Sequence, residues 1–454
     1  MTPRFADNLN AQAWLWKDHT AHGEAGEITA LARQIRPHYL GKCGGAYSSE
    51  WFWSKLLHCA NHDPEVFAAA QTWVEQSDYI PAMLTGRGVN DIRRNICAAG
   101  HKAMAHASWN GYPDEEFLAQ LHPKLAQFRR TLPNTFRTIA DPAGTLASQW
   151  AQKLGLSETT TVAVGAIDAH MGAIGAGITP NTLVKIIGTS SCDLMTAPLS
   201  QNLADIPGLC GIVPGSILPD AYGLEAGQSA VGDIFNWFTQ TLAPKGHSHE
   251  SLSEQATKLK PGESGLLALD WHNGNRTVLI DQRLTGVILG LTLHSTPAEI
   301  YRALIEATAF GARIIMERFE EYGIPIHRVI NAGGIAAKNP LAMQLYADIM
   351  NRPLEIASSN HTCALGAAIA GAVAANKLNP AHGHKDFETA IRHMTAPPMK
   401  TFTPVPVAAK TYESLYRLYT QLHDAFGLPG HTQPLAHVMK HLLAIRDKAH
   451  TGNK

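Results

Sequence analysis

Apolar and polar positions alternate along this chain in runs that predict both helices and strands. Residues 1–165 combine apolar, strand-like runs with amphipathic helical stretches and tryptophan-rich turns, whereas residues 180–375 hold more Gly, Ala and β-branched residues. A chain of 454 residues is too long for one ordinary hydrophobic core. We therefore expect an α/β protein with two domains that meet near residue 170.

The clearest single element is a long helix that follows Thr296. The run Thr296-Pro-Ala-Glu299 has the pattern of a capping box, with proline at the first helical position, where its missing N–H costs nothing. Strand-like runs flank the helix at 284–293 and 328–334, so an α/β unit is predicted, with ligands beyond the carboxyl ends of its strands. The helix should run to about Glu321 and bury one stripe, namely Ile300, Leu304, Ala307, Gly311, Ile314 and Phe319.

Two further stretches are predicted to lie at the surface. The polar segment 241–265 predicts an excursion with a short helix. Four prolines between residues 397 and 406 predict an extended connector. After them, residues 410–426 predict a helix, and the remaining basic tail is expected to be peripheral.

Composition excludes several classes of function. Lys plus Arg (37) nearly balance Asp plus Glu (38), so we expect no broad electrostatic field that would attract nucleic acid or an anionic membrane. Hydrophobic residues make up 45%, but no apolar run is long enough to span a bilayer. The first residues do not resemble a secretory signal, and the six cysteines are far apart without a CxxC pair. We expect a cytoplasmic protein with reduced thiols.

Histidine is unusually frequent, with 23 residues. Short clusters such as His382 with His384, and His247 with His249, lie in polar, loop-like sequence without the helical i, i+4 spacing of a metal site. We predict surface histidines there and assign no metal ligand.

The segment 161–177 begins as a strand, reaches Asp168 and continues with small residues. A carboxylate at the end of a strand, where backbone can approach closely, suits a general base that acts on a substrate hydroxyl. Aspartate is also a favoured N-cap, so Asp168 alternatively does no more than cap the next helix.

Two turns rich in small residues are candidates for nucleotide binding. Gly188-Thr-Ser190 joins two apolar runs, and its N–H groups and hydroxyls suit phosphate oxygens. The alternative is the turn of an ordinary β-hairpin, which would have the same kind of sequence. Gly333-Gly334 follows a strand and leads to Asn339, a candidate N-cap; bare glycine backbone there suits a purine or ribose. This turn lacks the Walker lysine and the GxGxxG spacing, and an ordinary strand-to-helix turn is the alternative.

Aromatic residues are concentrated in 47–55 and again around Trp14 and Trp16. Aromatic faces among polar groups suit a sugar pocket, because C–H faces stack while hydroxyls need fixed hydrogen bonds. Tryptophans in a hydrophobic core would give the same pattern, so both interpretations stay open.

Taken in order, these segments resemble the FGGY carbohydrate kinase family, and within it the members that phosphorylate ribulose. The resemblance runs from about residue 9 to about residue 425 and rests on the joint pattern. Its segments are Trp14-Leu-Trp-Lys-Asp-His-Thr, Tyr47-Ser-Ser-Glu-Trp-Phe-Trp-Ser-Lys, Asp91-Ile-Arg-Arg, Ala99-Gly-His-Lys-Ala, Asp168-Ala-His-Met-Gly-Ala, Ile187-Gly-Thr-Ser-Ser-Cys-Asp, Gly223-Leu-Glu-Ala-Gly-Gln-Ser-Ala, Asp270-Trp-His-Asn-Gly-Asn-Arg-Thr and Ala309-Phe-Gly-Ala-Arg.

The resemblance implies two actin-like (ribonuclease H-like) domains, each a mixed sheet flanked by helices, with ATP and sugar in the cleft between them. The implied regions are 1–170 for the sugar, 171–395 for the nucleotide and 396–454 as a helical extension and tail. The implied reaction is phosphorylation of L-ribulose to L-ribulose 5-phosphate by ATP with Mg²⁺, in arabinose degradation. A homodimer is compatible with this assignment.

The resemblance also implies roles for particular residues. Asp168 matches the family's catalytic base. Lys102 and Glu225 match ribulose contacts, and Asp18 is a further candidate. The positions that match ATP-binding segments are Gly188, Thr189, Ser190, Gly333, Gly334, Asn339 and Gly366; no Mg²⁺ ligand is implied.

The chain departs from the family pattern at its start. Family members begin with a strand and an Asp-x-Gly-Thr turn, the first phosphate loop, and nothing in residues 1–20 resembles it. We expect a first domain that lacks about 100 residues and whose missing phosphate contacts lower the rate of transfer. A catalytically impaired kinase or an actin-like sugar-binding protein is therefore the alternative function. A xylulose or glycerol kinase is disfavoured by the Gly-His-Lys-Ala and Gly-Leu-Glu-Ala-Gly-Gln segments.

Overall fold

The computed structural model describes residues 3–451. They divide into two compact units, each assembled from separate stretches of chain. The boundaries 1–170, 171–395 and 396–454 stay a prediction. The first unit consists of residues 3–175, Thr196–Glu225 and Cys363–Met394, and the second of Ala176–Met195, Ala226–Thr362 and residues 395–451.

Helices form most of the first unit. The prediction of strands among residues 1–165 was only partly right: Pro142–Thr145 and Thr161–Ala163 are strands, but no β-strand begins before Pro142 in the part of the chain that the structure describes. Short apolar runs do not distinguish a strand from a buried helix, which explains the error. The α-helices are His22–Ile35, Pro37–Gly41, Phe52–His62, Pro64–Ala69, Gln76–Leu84, Ile96–Ala103, Glu115–Leu121, Pro123–Arg129, Ser148–Leu154, Asp168–Gly175, Thr362–Leu378 and Phe387–Met394.

The aromatic segment at 47–55 contributes to the core of this unit. Trp51 and Trp53 are buried, and the Trp53 indole N–H donates to the Ala103 carbonyl oxygen at 2.9 Å. Trp16 is 41% exposed, so the two tryptophan groups differ in environment. Burial with a satisfied N–H is the usual arrangement of a core tryptophan.

Two antiparallel strand pairs complete the first unit. Pro142–Thr145 pairs with Thr161–Ala163, and Gly211–Pro214 pairs with Ala221–Ala226. The second pair places Gly211 opposite Glu225. Glu225 is therefore carried by a hydrogen-bonded ladder rather than by a loop.

Helix Thr362–Leu378 packs closely against helix Asp168–Gly175 at Gly366. A Cβ atom at Gly366 would lie 1.8 Å from the Met171 carbonyl oxygen and 3.1 Å from the Gly175 nitrogen. Only glycine permits this approach, because both neighbours are backbone atoms that cannot turn away. Gly366 thus helps to set the position of the helix that begins at Asp168.

The second unit is built on a mixed sheet. Strand Arg328–Ala332 lies between Thr182–Ile187 and Leu354–Ile356 and is parallel to both. Outside them, Ser191–Pro198 and Lys400–Phe402 each add an antiparallel strand. The hairpin considered as the alternative around residue 188 is present, with Ile187 opposite Ser191.

The long helix Pro297–Glu321 confirms the prediction from its capping box. The Thr296 hydroxyl accepts from the Glu299 N–H at 3.3 Å, and the Glu299 carboxylate accepts from the Thr296 N–H at 2.7 Å. The buried stripe was only partly right, since Ile300, Gly311 and Ile314 are half-buried. The helix is covered on several sides, and so it also buries Tyr301, Arg302, Ile315 and Met316 outside that stripe.

The strand predicted before this helix is shorter than expected and lies elsewhere. Val287–Leu289 pairs with Leu267–Leu269 in a separate two-stranded ladder, so it is not part of the mixed sheet. Gly290 follows it with φ +94°, and a Cβ there would lie 2.3 Å from the Gly265 carbonyl oxygen. The strand therefore ends at a position whose backbone conformation and close contact only glycine accommodates.

Further helices surround the second unit. The predicted helix 410–426 begins earlier, because Pro406 occupies its first position and accommodates the missing N–H. No helix within residues 3–451 is long and apolar enough to cross a membrane. The remaining helices are Gly232–Trp237, His249–Thr257, Gly334–Lys338, Pro340–Met350, Pro406–Gly427 and Val438–Thr451, with a π-helical turn at Phe238–Leu242.

The packing of Gly366 leads to a stability prediction. Gly366→Ala should lower the free energy of unfolding by about 1–3 kcal/mol, because the two helix backbones must separate. Gly371→Ala is the matched control in the same helix, since no atom lies within 4 Å of its Cβ position. That change should be neutral or stabilise by up to about 1 kcal/mol. Urea unfolding followed by circular dichroism measures both, and equal midpoints would contradict the packing argument.

Candidate active site

A buried carboxylate, Glu225, is the centre of the candidate site in the first unit. Its residue is 2% exposed, and one oxygen, Oε1, lies 3.4 Å from the Lys102 Nζ. Lys102 belongs to helix Ile96–Ala103, whereas Glu225 belongs to the hairpin strand Ala221–Ala226. The structure thus brings together two predicted sugar contacts that are 123 positions apart in sequence.

Lys102 is positioned by aromatic side chains of the core. Its Nζ lies 5.9 Å from the centre of the Trp51 ring, and its carbonyl oxygen accepts from the Tyr47 hydroxyl at 2.6 Å. The side chain is 19% exposed, so it is largely buried but still reaches the surface. A fixed ammonium beside a carboxylate supplies both donors and acceptors to a polyol.

Two buried histidines, which were not predicted from the sequence, complete this cluster. His101 Nδ1 and His170 Nε2 each lie 3.6 Å from Glu225 Oε2, and both side chains are fully buried. Burial lowers the pKa of His101 to about 3 and that of His170 to about 4, although the nearby Glu225 charge opposes the shift. Both imidazoles are therefore neutral at neutral pH.

The sequence did contain a signal for these histidines. His101 immediately precedes Lys102, and His170 follows Asp168 by two positions, so both lie inside segments that carry the family resemblance. Space for the His101 ring comes from Gly211, where a Cβ would lie 2.5 Å from His101 Nδ1. No spacing rule places residues from three separate segments against one carboxylate.

Asp168 is the first residue of helix Asp168–Gly175 and is exposed. One carboxylate oxygen accepts from the Ala169 N–H at 2.8 Å. Asp168 shares its short helix with His170 and contributes to the electrostatic field at that ring. A helix begins at Asp168 and the carboxylate is exposed, but the predicted strand ends at Ala163, so Asp168 does not lie at the end of a strand.

Asp18 occupies a turn before helix His22–Ile35. Its carboxylate accepts from the Thr20 N–H at 2.8 Å and from the Thr20 hydroxyl at 2.6 Å. Partial burial raises the pKa of Asp18, but these hydrogen bonds outweigh it and leave the pKa lowered. The Asp18 carbonyl oxygen accepts from Lys55 Nζ at 3.0 Å, which fixes the turn.

The two candidate nucleotide turns meet at one edge of the mixed sheet in the second unit. Gly188-Thr-Ser190 follows strand Thr182–Ile187, and Gly333 follows the parallel neighbour Arg328–Ala332. Carboxyl ends of parallel strands lie at the same sheet edge, where α/β proteins bind ligands. Contact is direct, because a Cβ at Gly333 would lie 2.5 Å from the Ile187 carbonyl oxygen.

Hydrogen bonds from another segment hold the first of these turns. The Gly188 carbonyl oxygen accepts from the Gly232 N–H at 3.0 Å, and the Thr189 carbonyl oxygen accepts from the Val231 N–H at 2.7 Å. Gly188 and Thr189 are nevertheless exposed. The carbonyl oxygens of the turn are thus fixed by hydrogen bonds, while its residues Gly188 and Thr189 stay accessible to a ligand.

The two remaining residues that were predicted to bind ATP, Asn339 and Gly366, each have a structural role. The Asn339 side chain accepts from the Ala342 N–H at 3.0 Å and caps helix Pro340–Met350, which confirms the predicted N-cap. Gly366 belongs to the first unit, in the helix contact described above. Their contact with a nucleotide stays a prediction.

The comparison with known families decides the classification. The N-terminal domain of the FGGY family of carbohydrate kinases matches residues 6–175, and the C-terminal domain of that family matches residues 183–375. This chain belongs to the FGGY family of carbohydrate kinases. It is therefore a sugar kinase that uses ATP, and it has the family's two-domain, actin-like fold.

Curated relatives cover most of this FGGY chain. A protein named ribulokinase from Bacillus licheniformis is 40% identical over 98% of the chain and 80% of its own length. A ribulokinase from Mycolicibacterium smegmatis is 43% identical over 98% of the chain and 77% of its own length.

Solved structures support the fold of this FGGY kinase. The ligand-bound xylulose kinase from Lactobacillus acidophilus superposes with a TM-score of 0.76 at 22% identity, over 91% of this chain and 80% of that one. A xylulose kinase from Rhodospirillum rubrum gives 0.71 at 24% identity, over 88% and 78% respectively. At these identities the likeness concerns the fold alone.

The conformation of Gly333 leads to a second prediction. Its φ of +96° and ψ of 178° belong to a region that is essentially restricted to glycine. Gly333→Ala should therefore cost about 1–3 kcal/mol of stability, and the clash with Ile187 adds to the cost. Gly334→Ala is the control, because it begins a helix and has no atom within 4 Å of its Cβ position. Thermal unfolding compares the two; equal losses would contradict this role for Gly333.

Proposed function

We propose that this kinase transfers the γ-phosphoryl group of ATP to L-ribulose and forms L-ribulose 5-phosphate. The observation that carries the proposal is the Lys102–Glu225 pair at 3.4 Å, in the same unit as the exposed Asp168 carboxylate. The curated relatives that cover nearly the whole chain are named ribulokinase, which supports the choice of sugar. The reaction belongs in L-arabinose degradation, and we place it in the cytoplasm.

Sugar recognition rests on Lys102 and Glu225. The ammonium group donates to sugar oxygens, and Glu225 Oε1 accepts from hydroxyl groups. A site with buried polar groups rejects a substrate that leaves them without partners. Glycerol is too short to satisfy both groups, so it should be a poor substrate. Asp18 stays a further candidate in the first unit.

Chemistry rests on Asp168. Its carboxylate takes the proton from the terminal hydroxyl as that oxygen attacks the γ-phosphorus, and ADP leaves with the electrons of the broken P–O bond. The proton therefore ends on Asp168 and is released to solvent afterwards. Because Asp168 starts a helix whose backbone is packed against Gly366, the carboxylate is held in position.

The nucleotide is assigned to the second unit. The exposed Gly188-Thr-Ser190 turn suits phosphate oxygens, and the Gly333-Gly334 turn suits adenosine. Mg²⁺ would enter as part of the substrate, with ATP, and would neutralise charge on its phosphates.

Asp168→Asn tests the catalytic assignment. Turnover should fall by at least about 10²- to 10⁴-fold, the usual contribution of a general base, whereas L-ribulose binding should persist. Asp220→Asn is the control, because Asp220 is an exposed aspartate of the same unit outside the site. A coupled assay for ADP gives turnover, and calorimetry gives binding. Turnover by D168N at the rate of D220N would remove Asp168 from this role.

Lys102→Met tests the assignment of the sugar site. Loss of hydrogen bonds from a charged group should raise the KM for L-ribulose by about 10- to 100-fold, with the KM for ATP unchanged. Lys153→Met is the matched control, because Lys153 also lies over a tryptophan ring, that of Trp150. The choice of sugar is tested separately with the unaltered chain, using D-xylulose and glycerol as alternative substrates. Equal turnover of L-ribulose, D-xylulose and glycerol would refute selectivity for ribulose. Sugar binding without any turnover would indicate a non-catalytic sugar-binding protein.

A further inference from the structure

Three potential ligand atoms converge in the interior of the first unit. His101 Nδ1, His170 Nε2 and Glu225 Oε2 lie within 4.8 Å of one another, and each nitrogen is 3.6 Å from the carboxylate oxygen. A distance of 3.6 Å is too long for a hydrogen bond between these groups. The histidine side chains have no exposed surface, so bulk water does not complete the arrangement.

Ser216 lies against the opposite nitrogen of the His101 ring. Its hydroxyl oxygen is 3.0 Å from His101 Nε2 and 3.1 Å from the Val213 carbonyl oxygen. When the hydroxyl donates to that carbonyl oxygen, Nε2 carries the ring proton and donates to the hydroxyl, so the Nδ1 lone pair faces Glu225 Oε2. In this tautomer Nδ1 can bind a cation held between the ring and the carboxylate.

His170 leads to the same conclusion independently. Neither of its ring nitrogens has a hydrogen-bond partner within residues 3–451, although the residue is fully buried. A buried polar group without a partner costs about 1–3 kcal/mol. A cation bound at Nε2 would give this nitrogen a partner.

We propose that His101 Nδ1, His170 Nε2 and Glu225 Oε2 bind one divalent transition-metal ion of the Zn²⁺ class. For bonds of about 2.0–2.1 Å, tetrahedral ligand atoms are separated by about 3.4 Å, close to the two separations of 3.6 Å. Two imidazoles and one carboxylate suit zinc and its first-row neighbours, whereas Mg²⁺ prefers oxygen ligands alone. This site is therefore distinct from the Mg²⁺ that accompanies ATP.

Lys102 does not occupy the same side of the carboxylate. Its Nζ is nearest to Oε1, whereas the imidazoles face Oε2. The ion would fix the orientation of Glu225 and leave Oε1 with Lys102. The binding of metal by these three residues does not depend on which sugar is phosphorylated, so the inference goes beyond the proposed function and can be tested without substrate.

A second group of similar composition provides the contrast. His58 Nδ1 lies 2.9 Å from Glu24 Oε1, a normal hydrogen-bond distance, and the His62 side chain is 61% exposed. Hydrogen bonding and solvent satisfy this group without an ion. It is therefore the internal control for histidine-dependent binding elsewhere on the chain.

The test is Zn²⁺ affinity of the whole chain after removal of metals with a chelator, without ATP or sugar, by competition titration and elemental analysis. Unaltered protein and His58→Gln should each bind one ion tightly. Ser216→Ala, which releases the His101 tautomer, should weaken binding by about 10- to 100-fold, and His170→Gln by more than about 100-fold. Full affinity in H170Q, or loss in H58Q, would overturn the proposal.

Co²⁺ provides a readout that does not require the buried variant to fold. Cobalt bound through imidazole nitrogen gives visible ligand-field absorption in the unaltered protein, and Ser216→Ala should shift the titration to higher Co²⁺ concentration. Absence of this absorption would overturn the proposal even if H170Q is unfolded. Because no step uses ATP or sugar, failure here leaves the kinase proposal untouched, and failure to phosphorylate L-ribulose leaves the metal site untouched.

Discussion

Burial of the Glu225 carboxylate is the constraint on which the first unit's site depends. A carboxylate removed from water is costly unless charge and hydrogen-bonding partners replace the solvent. The neighbours of Glu225 come from two helices: Lys102 and His101 from Ile96–Ala103, and His170 from the helix that begins at Asp168. One of the groups that surround Glu225 is therefore part of the candidate catalytic helix.

The candidate site in the second unit depends on backbone rather than on side chains. Gly333 approaches Ile187 so closely that a Cβ has no room, and the turn at Gly188 is held through its own carbonyl oxygens. Bare backbone at the carboxyl ends of parallel strands presents dipoles to a phosphate without a charged side chain. The two units thus offer different chemistry: fixed side-chain charge in the first and exposed main chain in the second.

Local signals in the sequence were reliable where one segment contained all the information. The capping box at Thr296 and the N-cap at Asn339 are confirmed, and the hairpin considered as the alternative after Ile187 is present, because each depends on a few neighbouring residues. The strand-like runs before Pro142 were misassigned, since short apolar segments become helices when neighbouring helices cover them. The strand at Val287–Leu289 was real, but its partner was not predictable from its own residues.

By itself, the sequence determined the family, through the order of its motifs, and with it the kinase chemistry and the candidate residues Asp168, Lys102 and Glu225. It also determined local caps and turns, because those interactions span only a few positions. Only the tertiary structure decided that His101 and His170 meet at Glu225 Oε2, since the residues come from three separate segments. The reason is physical: which side chains share a buried space depends on how helices and strands pack, and no spacing along one segment encodes that packing.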